Sequence, residues 1–226
     1  MSKTSIYPHT SAVSASLSAP GEKPIQIHKH RIWMMDYLIL KNLILIDGTG
    51  NEPLENATIV IENDRIKEII DGHQTFTPSS GKVLNCKGQF LIPGLIDAHV
   101  HVGSTEASIV EQHRKNFPSY SLLKSLNGLR QTLDQGFTTV RDCGGADAGL
   151  RQALQEELVI GPRLFICGTI LSQTGGHGDF RLPTENHTPL IYPGGVGSGL
   201  YDGVDEVRRG ARQQLRQGAN FIKIMA

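Results

Sequence analysis

The sharpest chemical signal in this chain is the run Asp97-Ala98-His99-Val100-His101. Side chains alternate faces along a strand, so Asp97, His99 and His101 share one face while Ala98 and Val100 take the other. Two imidazoles on one face can hold a divalent cation at about 2.1 Å, and a neighbouring carboxylate can orient them from behind. Histidines that merely fill a polar strand end have the same spacing. The wider context, Phe90 to Gly103 (FLIPGLIDAHVHVG), favours ligands, because it sets the pair at the end of a buried apolar strand.

Lys223 interrupts an otherwise apolar segment, Phe221-Ile222-Lys223-Ile224-Met225. A buried lysine is costly unless it is paired or neutralised. As an ammonium it cannot bind a metal, and pairing with a carboxylate or snorkelling to a strand end are its ordinary fates. His177 sits in Thr174-Gly175-Gly176-His177-Gly178-Asp179, where the glycines would let backbone approach a ligand. A surface histidine in an Asx-type turn is the plainer reading. Arg141 and Asp142 close another strand, and a structural salt bridge is the commoner role for such a pair. Gly194-Gly195-Val196-Gly197-Ser198-Gly199 lacks a preceding strand and a following Lys-Ser or Lys-Thr, so it reads as a mobile loop rather than a nucleotide cradle.

These residues need a frame. Residues 1–35 are rich in Ser, Thr, Pro, His and Lys without periodicity, which predicts a disordered leader or an extension ahead of the start at Met34 or Met35. Residues 36–91 hold short apolar runs separated by Asp47-Gly48, Asn63-Asp64 and Asp71-Gly72, which predicts a small antiparallel β unit. From residue 92 to 226 strands alternate with helices. Strands are expected at GLIDAHVHVG, GFTTVRDCGG, PRLFICG and ANFIKIMA, and helices at 119–135, 147–158 and 204–217. That alternation implies parallel βα units. A closed (β/α)8 barrel takes eight units and about 250 residues. Four are present, so the expectation is an α/β fold comprising the first half of a TIM-like barrel, with an apolar edge left open.

The chain has 226 residues, and 22 basic residues balance 22 acidic ones. That neutrality gives no electrostatic reason to expect nucleic acid or an anionic membrane. No apolar run is long enough for a membrane span, and no signal-peptide core opens the chain, so a cytoplasmic location is expected. Sequons at Asn56 and Asn186 therefore carry little weight. Cys86, Cys143 and Cys167 form no C-x-x-C pair and read as small core fillers in a reducing compartment.

FLIPGLIDAHVHVG resembles the first barrel strand of the metal-dependent amidohydrolase superfamily. The segments IDGTG, IVIENDRIKEI and VLNCKGQFLIPG resemble the small β-sandwich that opens those proteins. GFTTVRDCGG, GPRLFICGTILSQTGGHGD and GANFIKIMA together resemble its imidazolonepropionase-like branch, which contains Xaa-Pro dipeptidases. The match covers about residues 36 to 226.

The resemblance implies hydrolysis of carbon–nitrogen bonds in a small amide or Xaa-Pro dipeptide substrate. It implies His99 and His101 as metal ligands and Lys223, carboxylated by carbon dioxide, as a bridge between two divalent metals. Zinc suits these donors best, with manganese, iron or cobalt as alternatives. His177 would meet the polar end of the substrate, and Asp97 would stand behind the ligands. The family completes this site with two further histidines and a proton-shuttling aspartate from later strands. The 226 residues alone are therefore expected to be inactive, needing a C-terminal half or a complementing chain. Two other readings stay open: a mononuclear deaminase or imidazolonepropionase, which needs no carboxylated lysine, and a non-catalytic scaffold.

Overall fold

An unbroken apolar run at the start of a strand needs cover on both faces. Such a run opens β1 (Tyr37–Leu45), the centre of the first sheet in this computed structural model, which describes residues 37–72, 81–187 and 196–225. Residues 1–35 and Gly194–Gly195 lie outside these described residues. Around β1 lie β2 (Leu54–Glu62), β3 (Arg65–Ile70), β4 (Lys82–Asn85) and the short β5 (Phe90–Leu91). The sheet order is β3-β2-β1-β4, with β5 also on β1. Leu38, Leu40, Leu43, Ala57, Ile59, Ile61 and Cys86 pack on one face, while Ile39, Val60 and Ile70 pack on the other.

Leu40 and Leu43 reach the same face despite their odd spacing because the register shifts between them. Asn42 there takes a left-handed φ of 58°, and this bulge restores the phase of the strand. Asn63-Asp64 forms the β2–β3 hairpin turn, as the sequence predicts, with Asn63 at φ 56°. The expectation of a purely antiparallel unit is not met. β1–β2 and β2–β3 are antiparallel, but β4 and β5 join β1 in parallel, so the sheet is mixed.

The chain divides into two compact units, one up to Gly94 and one from Leu95. In the second, β6 (Leu95–Val100), α1 (Ile109–Lys115), α2 (Pro118–Asp134), β7 (Phe137–Asp142), α3 (Ala148–Gln155) and β8 (Arg163–Ile166) follow in turn. Then come β9 (Ile170–Ser172), β10 (Ser198–Leu200), α4 (Val204–Arg216) and β11 (Ile224–Met225). Two parallel three-stranded sheets result, ordered β6-β7-β8 and β10-β9-β11. Leu129 of α2 and Leu150 of α3 pack with Val140, Leu164 and Ile166 of β7 and β8, the apolar stripe of each helix meeting the strands. The fold is thus mixed α/β with parallel βα units.

β8 and β9 are pieces of one path interrupted at residues 167–169, where buried Gln214 of α4 accepts the Thr169 N–H at 2.9 Å. β11 is shorter than its apolar segment suggests. Asn220 N–H nonetheless bonds to Ile166 O at 2.8 Å, and Leu171 N–H to Lys223 O at 2.9 Å, so residues 220–225 run beside β8 and β9. Ser198–Leu200, expected to be loop, forms a parallel rung on β9. Cys86, Cys143 and Cys167 are free and buried, and burial pushes the Cys167 thiol up to about 12. Among the described residues no helix is long and apolar enough to cross a membrane.

Candidate metal centre

β6 and the segment leading into β11 bring three of the expected residues together. The rings of His99 and His101 lie 5.4 Å apart between centroids and 60° apart in plane. Lys223 Nζ lies 3.4 Å from His99 Nε2. The lysine's ordinary partner, a carboxylate, is absent among the described residues, and its neighbour is an imidazole instead. An ammonium only donates, so Nε2 of His99 offers its lone pair. The Lys223 charge also holds the His99 imidazole below its usual range, which favours the neutral ring.

His101 is fixed by a different device. Its Nδ1 lies 3.1 Å from the carbonyl oxygen of Gly144. A carbonyl only accepts, so Nδ1 carries the proton and Nε2 the lone pair. This is the tautomer a metal-binding histidine needs. Asp97 does not reach either ring. Its Oδ1 accepts the backbone N–H of His99 at 3.0 Å and so fixes the strand end rather than an imidazole.

The element that holds this corner is Asp142, at the end of β7. It is fully buried, and the expected salt bridge is replaced by three backbone donors. Oδ2 accepts from Val102 N–H at 2.7 Å, and Oδ1 from Gly144 N–H at 2.9 Å and Ala146 N–H at 3.1 Å. One carboxylate therefore ties the residue after His101 to the residue whose carbonyl orients His101. Burial pushes the Asp142 carboxyl upward, against the pull of these three donors. Arg141 is not paired with it either. Its guanidinium stacks over the Phe221 ring at 4.6 Å, and its charge adds to that of Lys223 at His99. Gln112 of α1, also buried, closes the same corner, donating to Gly103 O at 2.6 Å and accepting from Thr105 N–H at 2.9 Å.

Gly144 cannot be another residue without disturbing the site. Its φ is +144°, and a Cβ there would collide with Cδ1 and Cγ1 of Ile170. Ile170 is wholly buried, so its side chain cannot swing out into solvent to make room. Replacing Gly144 by alanine is therefore expected to shift the carbonyl that orients His101. Metal affinity in the whole protein should fall about 10- to 100-fold, the usual cost of losing a partner behind a ligand, as read by metal titration.

His177 is exposed in the loop after β9, and the contacts above do not reach it. Among the described residues, no group of three His, Cys, Asp or Glu side chains could hold a cation unaided. The donor set nonetheless fits a divalent cation in part: two imidazoles in the right tautomer, with a lysine beside one of them.

The amidohydrolase family model matches residues 90–226. The chain belongs to the amidohydrolase family. The matched span holds both histidines, Lys223 and Asp142. Ochratoxinase of Aspergillus niger is 34% identical to this amidohydrolase over 204 residues, covering 81% of the chain and 40% of that enzyme. A prolidase solved with N-methylphosphonate-L-proline superposes with a TM-score of 0.76 at 36% identity, covering 83% of this chain and 46% of its own. A Xaa-Pro dipeptidase solved with methionine in its active site gives a TM-score of 0.67 at 28% identity, covering 83% and 46%. The chain thus spans less than half the length of these relatives.

Proposed function

We propose that this amidohydrolase contributes His99, His101 and a carboxylated Lys223 to a two-metal centre that hydrolyses amide or Xaa-Pro dipeptide bonds. The observation that carries the reading is the meeting of the His99 Nε2 lone pair with Lys223 Nζ at 3.4 Å. Beside it, His101 is held in the ligand tautomer by Gly144. A lysine whose near neighbour is an imidazole and not a carboxylate has no ion pair to hold its proton, which supports a role as an amine that takes up carbon dioxide.

The residues divide the work. His99 and His101 present neutral nitrogen donors. Lys223 would lose two protons to water overall, one from its ammonium and one as the Nζ–C bond to carbon dioxide forms, and would then offer two carbamate oxygens as donors. Asp97 and Asp142 fix the backbone on either side of the pair. His177, exposed in the loop after β9, takes the polar end of the substrate in this reading, by likeness to the family. Divalent metals, with zinc the best match to these donors, would draw a nucleophile from water near neutral pH and polarise the scissile carbonyl. The remaining ligands and the proton-shuttling aspartate belong to the part of the relatives that this chain does not span.

The test is hydrolysis of a panel of Xaa-Pro dipeptides and N-acyl amino acids by the whole protein. The assay is run as purified, after chelation, and after zinc is restored. Activity should vanish on chelation and return with metal. Hydrolysis indifferent to chelation would remove the metal from the account. Retained activity in Lys223→Ala would favour the single-metal, deaminase-type reading.

A further inference from the structure

The loop that carries His177 is held from many sides. Gly178 N–H bonds to Ser172 Oγ at 3.0 Å, Gly176 N–H to Gln173 O at 3.0 Å, and Asp179 N–H to Gly176 O at 2.9 Å. Gly175 N–H reaches Asp179 Oδ2 at 2.9 Å, and Arg181 grips the same carboxylate through Nε at 2.8 Å and a second nitrogen at 2.7 Å. A Cβ on Gly178 would lie 2.7 Å from both Ser172 Cβ and Ser198 Oγ, so the loop closes onto β9 and β10 without a gap.

One anchor comes from a distant part of the chain. Asp202, which follows β10, accepts the Thr174 N–H at 3.0 Å and the Thr174 hydroxyl at 2.6 Å. Asp202 is itself set by its own N–H, which donates to Glu206 in the first turn of α4 at 2.8 Å. The chain therefore runs from a helix start, through Asp202, to the first residue of the loop. Among the described residues His177 alone in this loop makes no hydrogen bond, and it is exposed. A loop whose neighbours are all tied down, with one free imidazole at its tip, is organised to present that imidazole.

We propose that Asp202 is a positioning residue: by pinning Thr174 it fixes the His177 loop and thereby sets substrate affinity. This rests on the hydrolase reading, since it takes His177 as the group that meets substrate. Replacing Asp202 removes two hydrogen bonds to a charged acceptor but no group that would touch the reacting bond. The loss should fall on KM and spare kcat.

The test uses the whole protein and its fastest substrate from the panel. Asp202→Ala should raise KM about 5- to 30-fold, the factor that one to two kcal/mol of lost order corresponds to, with kcat nearly unchanged. Asp202→Asn keeps an acceptor for the Thr174 N–H and should recover most of the loss, and Thr174→Val should fall between. In a His177→Ala background, Asp202→Ala should add nothing further. Amide exchange at Thr174 and Gly175 should quicken in Asp202→Ala, a readout that needs no substrate.

An equal KM effect of Asp202→Ala with and without His177 would overturn the proposal, because Asp202 would then act elsewhere. So would unchanged exchange at Thr174 and Gly175, because the pin would not exist. Should the wild-type protein hydrolyse nothing in the panel while exchange still quickens, the hydrolase reading falls and takes the substrate role of Asp202 with it, leaving only the pin. Should it hydrolyse normally with KM indifferent to His177, the positioning claim fails alone.

Discussion

In the whole protein, His99→Ala and His101→Ala are each expected to lower kcat/KM by well over the 10- to 100-fold typical of losing a partner behind a metal ligand. Two lone pairs are at stake. His101 is held by Gly144 O so that Nε2 is free, and His99 faces an ammonium that can only donate to it. Among the described residues neither ring is packed into a core, since His99 is exposed and His101 only partly covered. The loss should therefore appear in activity and metal affinity, with folding stability almost unmoved. Comparable unfolding midpoints beside a collapse in kcat/KM would fit the account. Near-normal kcat/KM in either variant would remove that histidine from the centre.

Asp142→Ala should have the opposite profile, with stability falling first. The carboxylate is wholly buried and satisfies three backbone N–H groups. Each buried donor left without a partner costs about 1–3 kcal/mol, so with partial entry of water the total should be about 3–5 kcal/mol, in the range of severe single substitutions. Asp142→Asn should be milder. Its Oδ1 can still serve Gly144 and Ala146, but its amide would face the Val102 N–H, donor against donor. Urea unfolding of the whole protein measures both. An Asp142→Ala variant within about 0.5 kcal/mol of wild type would behave like an ordinary surface change and would refute the anchoring role. Any activity loss in Asp142→Asn should track weakened metal binding, since Val102 and Gly144 flank His101 in space.

The longer helices of the second unit were legible because they run through several turns. The apolar spacing of Leu122, Leu123, Leu126, Leu129 and Leu133 predicts a helix at 119–135, which answers to Pro118–Asp134, and the helix expected at 204–217 answers to Val204–Arg216. The short elements were not legible from periodicity. α1 is only seven residues long, yet Ser108 and Glu111 carry a helix-start signature, and Ser108 Oγ does accept the Glu111 N–H at 3.3 Å. β10 is three residues in a glycine-rich run and exists only through its pairing with β9, which no local pattern reports. The same holds for the parallel rungs that make the first sheet mixed. Register across long separations is set by tertiary packing.

Of the candidate site, same-face spacing singled out His99 and His101, while Lys223 drew attention by interrupting an apolar segment and took its ligand role only from the family resemblance. Their closeness was not readable, because 124 positions separate Lys223 from His99. The roles of Asp142 and Gly144 were hidden for a different reason. A buried carboxylate serving backbone donors and one forming a salt bridge look alike in sequence. Asp142-Cys143-Gly144-Gly145 after a strand does carry one usable cue: consecutive glycines there mark backbone in conformations that side chains resist, with φ of +144° and +124°. Asp97 is the reverse case, since its carboxylate turns back to its own strand rather than to a ligand.

Elemental analysis of the whole protein gives its metal-to-protein ratio, which can be read beside those of His99→Ala/His101→Ala and Lys223→Ala. Wild type should hold two divalent ions per chain, with either variant holding fewer and all three proteins equally folded. A wild-type protein without metal, or a ratio that neither variant changes, would contradict the assignment of His99, His101 and Lys223 to one metal centre.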